Sequence, residues 1–543
     1  MPRGTAIAES RVVRSIRACL GLAVTVSCGG HTAVPADVGV PDTIAVDAAA
    51  VDWNLTFDLA STAGPLPATL LGQYDLSGSL FHFDQVPQLA TSMKTAGLAE
   101  WRVGLGRWEI ATQLLPTLTD GTACAPQLAG YPAQAFAPPG TTDLDLIGAR
   151  DWFTYTDGTP VTVATTADDT RYALAYVRSV IDVATAFGAA PYVDIDLMPR
   201  ALAANQTPSR TIADYAAACT TTWTNKVSNV RPADPSVFAA AVAGAVKRVI
   251  EGSDGEPGRP VPYWEVGNEP DLAYAWDPSV GAFSTYVQTA ASTLAALDAY
   301  RRATTSSDGA AIRIGLGGFA NASTAAMVLP ILDGANVPFD FISFHAYLDD
   351  PLAIVANIEA VAAARQASAH HQGAELVLSE WGGLTSGSTL DPTTMDVALH
   401  HATVLALGAA AGLTHAHHAI FWDFFAADLP GLGILNHDMS PKPVYYAYAL
   451  LARMIGAGAS RLAPIGNTDG RLDGGMGAVL ASRDAAGNVW VLLVNRNSSA
   501  RTATVGATPT AITVFDDPAS PPHDVAPTSV IAIPARSIVL VER

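Results

Sequence analysis

At 543 residues, with 49% hydrophobic and only 15% charged side chains, the chain can bury a large core and does not have the composition of a disordered protein. Its formal net charge of −20 argues against DNA, RNA and anionic membrane surfaces as partners, because those need clustered Lys and Arg. Neither GxxxxGK(S/T) nor GxGxxG after a strand is found, so nucleotide chemistry has no support and no cofactor is implied.

At the N-terminus, Arg3, Arg11, Arg14 and Arg17 precede a short apolar run, ACLGLAVTV, that ends at SCGG. This is the pattern of an export signal, placed here at residues 1–28 and too short to cross a membrane. Ser27 and the glycines around Cys28 resemble a bacterial lipoprotein cleavage site, which makes Cys28 a lipidation candidate; ordinary secretion is the alternative. The expected location is extracellular, periplasmic or lipid-anchored at the cell surface, with the membrane touched only through that anchor. Residues 29–48 are of low complexity and read as a tether. Cys124 and Cys219 then remain, and two thiols in an exported chain form a disulfide candidate.

Over residues 67–454, short apolar runs alternate with longer Ala-rich segments of helical character. Strands are expected at 70–76, 100–106, 191–197, 262–268, 312–318, 341–347, 375–381 and 417–424, with helices such as PSVFAAAVAGAVKRVIEG between them. Eight strand–helix units predict an α/β fold, a (β/α)8 TIM barrel enlarged by long loops. Residues 455–543 change to short alternating strands with Gly and Asn at the turns, the signature of an accessory antiparallel β-sandwich. The segment 49–66 has the same texture and is expected to add a strand to that sandwich.

Barrels of this kind gather their functional side chains where the strands end in loops. The expected strand ends carry Arg102, Asn268 with Glu269, His345 with Tyr347, and Glu380 followed by Trp381. Two carboxyl groups across one mouth suit glycoside hydrolysis, in which one protonates the departing oxygen and the other attacks or stabilises the anomeric carbon. A separation of about 5–5.5 Å gives retention and about 6.5–9.5 Å gives inversion, a distance that the sequence leaves open. Pro270 is expected to hold Glu269 extended and out of a helix. Glu265 falls one barrel layer deeper and is expected to be structural.

Strand four ending in NEP and strand seven ending in SEW, about 110 residues apart, resemble the retaining glycoside hydrolases of clan A. The flanking sandwich built from both ends of the chain is similar to family 39, the β-xylosidase and α-L-iduronidase group. The resemblance implies that Glu269, after Asn268, is the general acid/base and that Glu380 is the nucleophile of a double displacement. It implies that Arg102 and the Tyr347 hydroxyl support Glu380, with His345 beside them, and that Trp422 lines the sugar site. Asn268 would bind the sugar 2-hydroxyl. Trp381 and His82, the latter in the loop after strand one, are further candidates for sugar contact. The substrate implied is an oligo- or polysaccharide, xylosides first.

In HAHH, His415 and His417 share a strand face and invite a metal reading. Such sites need carboxylate or His partners on other strands, which the sequence does not assemble, so no metal is assigned. Two other classes remain in view. A catalytically silent carbohydrate-binding protein would have no need of both acids, and a metal-dependent barrel hydrolase would lose activity in chelator and survive Glu380→Gln.

Overall fold

Eight short runs rich in Val, Ile, Leu and Trp pair in parallel and close on themselves in chain order. They are, from one to eight, Gly72–Tyr74, Glu100–Gly104, Ala190–Ile195, Tyr263–Val266, Arg313–Phe319, Phe341–Tyr347, Glu375–Gly382 and Leu413–Ala419. The computed structural model describes residues 53–74, 87–105, 152–153, 160–172, 174–195, 198–204, 231–253, 255–271, 282–383, 388–423, 433–436, 438–456 and 458–543. The candidates Cys28, His82, Cys124 and Cys219 lie outside them.

Strands one to seven form where the alternation of apolar runs puts them. The eighth is displaced: it begins at Leu413 rather than 417 and ends at Ala419. Ile420 adopts φ 65°, a left-handed conformation that a β-branched residue takes only under constraint and that no strand can continue through.

Crossover helices start on local signals. Asp234 and Asp350 each precede a proline, and their carboxylates accept from the backbone N–H groups of Ser236 and Val237 and of Leu352. Each side chain thereby satisfies first-turn donors, while the proline lacks the N–H that would otherwise be orphaned.

The chain's last ninety or so residues form two sheets. Trp53–Asn54 joins one of them, pairing parallel with Arg501–Thr504, which in turn pairs with Ile531–Ile533. The larger sheet is antiparallel and buried on both faces. Val479, Val491, Leu493 and Val541 point into the sandwich with Trp53 and Ile533. Their neighbours Leu480, Leu492, Val494 and Leu540 point the other way and merge with the barrel's core. Between barrel and sandwich lies the helix Met395–Ala410, buried on nearly every side, which explains its lack of a polar face.

Candidate active site

Arg102, on strand two, is fully buried inside the barrel. Its Nη1 donates to Glu380 Oε1 at 2.9 Å, its Nε to Glu265 Oε2 at 2.6 Å and its Nη2 to Asn268 Oδ1 at 3.0 Å. The Asp194 carboxylate lies 2.8 Å from Nη2, and the guanidinium stacks 4.6 Å from the centre of the Tyr74 ring. Burial works against this charge, but Asp194, Glu265 and Glu380 outweigh it and hold the arginine pKa well above its ordinary value. Glu265 is fixed from its other side by the Ser343 hydroxyl, in the layer below the mouth where the sequence placed it.

Glu380 is reached from both sides. Tyr347 donates its hydroxyl to Oε2 at 2.9 Å, while Arg102 holds Oε1. His345 sits between the two glutamates, its Nδ1 3.1 Å from Glu269 Oε1 and its Nε2 3.6 Å from Glu380 Oε1. Burial opposes protonation of this imidazole, but Glu380 and Glu269 together raise its pKa. One carboxylate oxygen of Glu269, a ring nitrogen of His345 and one oxygen of Glu380 all lie within 4.8 Å of one another. The Glu269 side chain is 24% exposed and that of Glu380 6%, so the first faces the mouth and the second lies beneath it.

The backbone of Glu269 differs from expectation. Its φ is 45°, left-handed rather than extended. Pro270 does keep it out of a right-handed helix, but the chain turns at Gly267, φ 100°, and the Glu269 N–H donates to the Gly318 carbonyl at 2.7 Å. Such a conformation costs of order 1–3 kcal/mol in a non-glycine residue and persists only where its surroundings over-determine it. Asp271 supplies part of that constraint, its carboxylate accepting from the Ala320 and Asn321 N–H groups at 2.8 and 3.0 Å. Gly318 supplies another: a Cβ there would lie 3.1 Å from Asn268 Oδ1.

The structure thus brings Arg102, Asn268, Glu269, His345, Tyr347 and Glu380 together. Trp381 requires a correction. It is fully buried, against His401 and His418, and offers no face to a ligand. Successive strand residues point to opposite faces, so the neighbour of inward-facing Glu380 must face the surrounding helices. Trp422 follows the eighth strand rather than ending it, pairs with Leu435 and is 8% exposed. Tyr74 and Asp194 were not anticipated. Their signal was present in polar residues standing at or near the ends of LLGQYDL and PYVDIDL.

Two groups among the described residues place three metal-ligating atoms within reach of one ion: Glu269, His345 and Glu380, and Glu100, His415 and His417. In the first, both oxygens of Glu380 already accept from Arg102 and Tyr347, and the guanidinium would repel a cation. The second has no such cation in its hydrogen bonds, and its third member is the carboxylate partner that sequence reasoning could not find for HAHH.

No protein-family model and no curated protein matches the sequence. Solved structures do match the fold. A GH39 β-xylosidase from Caulobacter crescentus is 17% identical, with TM-score 0.57 over 90% of this chain and 99% of its own. The GH39 enzyme from Xanthomonas axonopodis pv. citri is 16% identical, with TM-score 0.58 over 93% and 99%. The catalytic domain of GH30 xylanase C from Talaromyces cellulolyticus is 13% identical, with TM-score 0.55 over 90% and 99%. The chain therefore shares the fold of these structures, in this chain a closed (β/α)8 barrel with an accessory β-sandwich.

Proposed function

We propose that the chain is a retaining glycoside hydrolase in which Glu380 attacks the anomeric carbon and Glu269 protonates the departing oxygen. One observation carries the reading: oxygens of the two carboxylates approach within 4.8 Å at the ends of strands four and seven. Covalent, retaining catalysis uses carboxyl groups about 5–5.5 Å apart, whereas inversion needs about 6.5–9.5 Å for an intervening water.

The surrounding groups fit the roles. Arg102 and Tyr347 fix both oxygens of Glu380 and leave the carboxylate aimed as a nucleophile. Its attack forms the glycosyl ester and expels the alkoxide, which takes its proton from Glu269. In the second step Glu269 removes a proton from water, which displaces Glu380. Asn268 commits its oxygen to Arg102, leaving its amide N–H groups as donors for the sugar 2-hydroxyl, a contact that strengthens in the oxocarbenium-like transition state. β-Xylosides are the first substrate class to assay, from the resemblance of NEP and SEW and from the shared fold.

The test is a panel of aryl glycosides with wild type and Glu380→Ala, with and without azide. Loss of turnover in the variant, rescued by azide to give a glycosyl azide of inverted anomeric configuration, is the expected result. Undiminished turnover by the variant overturns the assignment. We also propose export, with Cys28 the lipidated residue; labelled palmitate should enter the wild type and not Cys28→Ser.

A further inference from the structure

Beneath the mouth, strand eight turns two imidazoles towards one carboxylate. His415 Nδ1 and His417 Nε2 each lie 2.7 Å from Glu100 Oε2, and all three side chains are almost completely enclosed. The contact spans an intervening strand. His417 pairs in register with Gly72, and Gly72 with Glu100, so one row crosses three strands. A Cβ at residue 72 would sit 2.4 Å from His417 Cδ2 and 3.2 Å from its Nε2, so only glycine lets the ring reach across. The arrangement is built into the barrel, not a chance meeting of surface groups.

As hydrogen bonds alone it is incompletely satisfied. Both imidazoles address one oxygen of Glu100, while Oε1 has no hydrogen-bond partner, and neither does His417 Nδ1. The unpaired carboxylate oxygen, buried beside two imidazoles, can turn towards a cation held between them, while His417 Nδ1 points away from that position. The second nitrogen of His415 faces another carboxylate, Glu375, at 3.5 Å. A ligating histidine commonly turns its far N–H to such a group, which fixes the tautomer and the ring. The rings of Tyr192 and Tyr263 close the sides, 4.7 Å from His417 and 4.6 Å from His415 between centroids.

We propose that Glu100, His415 and His417 bind a divalent cation of the zinc class, as a site distinct from the catalytic pair and independent of the sugar chemistry. Two imidazole nitrogens favour zinc, iron, cobalt or nickel over magnesium or calcium, which prefer all-oxygen shells. With metal–ligand bonds of about 2.0–2.2 Å near the tetrahedral angle, the ligand atoms would stand roughly 3.3 Å apart. The cluster therefore opens by about half an ångström from its 2.7 Å contacts, a shift within reach of rotations about the His and Glu side-chain bonds. The ion would tie strand eight to strand two across the shortest barrel strand.

Because the site is enclosed, the metal must enter as the chain folds. The test is the full-length protein produced in medium supplemented with zinc or with cobalt, dialysed, and analysed for bound metal beside Glu100→Gln, His417→Gln and Glu380→Gln. Expected are about one equivalent in wild type and in Glu380→Gln, at least tenfold less in the two cluster variants, and a shell of two histidine nitrogens in X-ray absorption of the wild-type cobalt form. That spectrum decides even if a cluster variant fails to fold. Wild type without stoichiometric metal overturns the proposal and leaves a hydrogen-bonded strut. Metal lost in Glu380→Gln but kept in Glu100→Gln also overturns it, by assigning the ion to the catalytic mouth.

Discussion

The catalytic mouth and the outer face of the barrel wall treat histidine in opposite ways. At the mouth, His345 is enclosed but lies between Glu269 and Glu380, and the two acids raise its pKa against the effect of burial. On the outer face, His400, His401 and His418 pack with Trp381 and Tyr448, and burial dominates. It lowers the pKa of His400 to about 4 and that of His418 to about 3, and takes His401 well below its ordinary value. Depth alone does not decide: at His345 two carboxylates outweigh burial, whereas at His417, whose one carboxylate partner Glu100 also serves His415, burial still lowers the pKa. The mouth can therefore hold charge for chemistry, while the outer face is packing that must remain uncharged.

The largest effect expected from breaking this arrangement is on turnover. Glu380→Ala should lower kcat for aryl glycosides by roughly 10⁴-fold or more, the range seen when a nucleophile is removed from a catalytic unit. Circular dichroism should stay native, because the variant removes one of the three carboxylates beside Arg102. Next in size is Arg102→Met. It leaves Asp194, Glu265 and Glu380 enclosed without their cation, a change that costs about 3–5 kcal/mol in buried ion pairs. Thermal unfolding of the variant should show a lowered Tm; an unchanged Tm would mean that the arginine does not hold the inner cluster together.

Much of this was legible in the chain. The eight apolar runs, the order NEP then SEW, and Arg102 at the end of EWR each follow from local pattern, and the structure joins their side chains. What escaped was non-local or sterically subtle. Glu100 and His417 lie 317 residues apart, and their meeting depends on a missing Cβ at Gly72 that no periodicity announces. The left-handed turn at Glu269 is set by the Gly318 carbonyl of the next strand, so proline alone could not foretell it. Trp381 was misplaced for a simpler reason. Placing both of a strand's last two side chains at the mouth ignores the pleat, which sends one of every two outwards.

The outer histidines give the third prediction. Their folded pKa values lie below the ordinary 6.5, so between those values the unfolded chain binds more protons than the folded one. Stability then rises with pH up to about 6.5 and is lost as pH falls towards about 4 and 3. His418→Phe should reduce the slope of unfolding free energy against pH in that window by about one proton. Denaturant titrations between pH 4 and 7 measure it, and an unchanged slope would show that His418 is not held neutral.

His345 supplies the smallest effect, with the opposite sign. Its folded pKa is raised, so its contribution is complete below the ordinary 6.5 and disappears as pH rises through the folded value. His345→Gln keeps a side-chain amide near Glu269 but cannot carry the charge. The variant should therefore lose stability relative to wild type as pH falls to 6 and below and converge with it as pH rises through the folded value, whereas His418→Phe should gain on wild type as pH falls, because it removes an imidazole held neutral. Tm measured across pH 5–9 for both variants separates the faces of the wall. If the two variants deviated from wild type with the same sign as pH falls, the carboxylates beside His345 would not be what raises its pKa against burial, and the role of the two glutamates there would have to be given up.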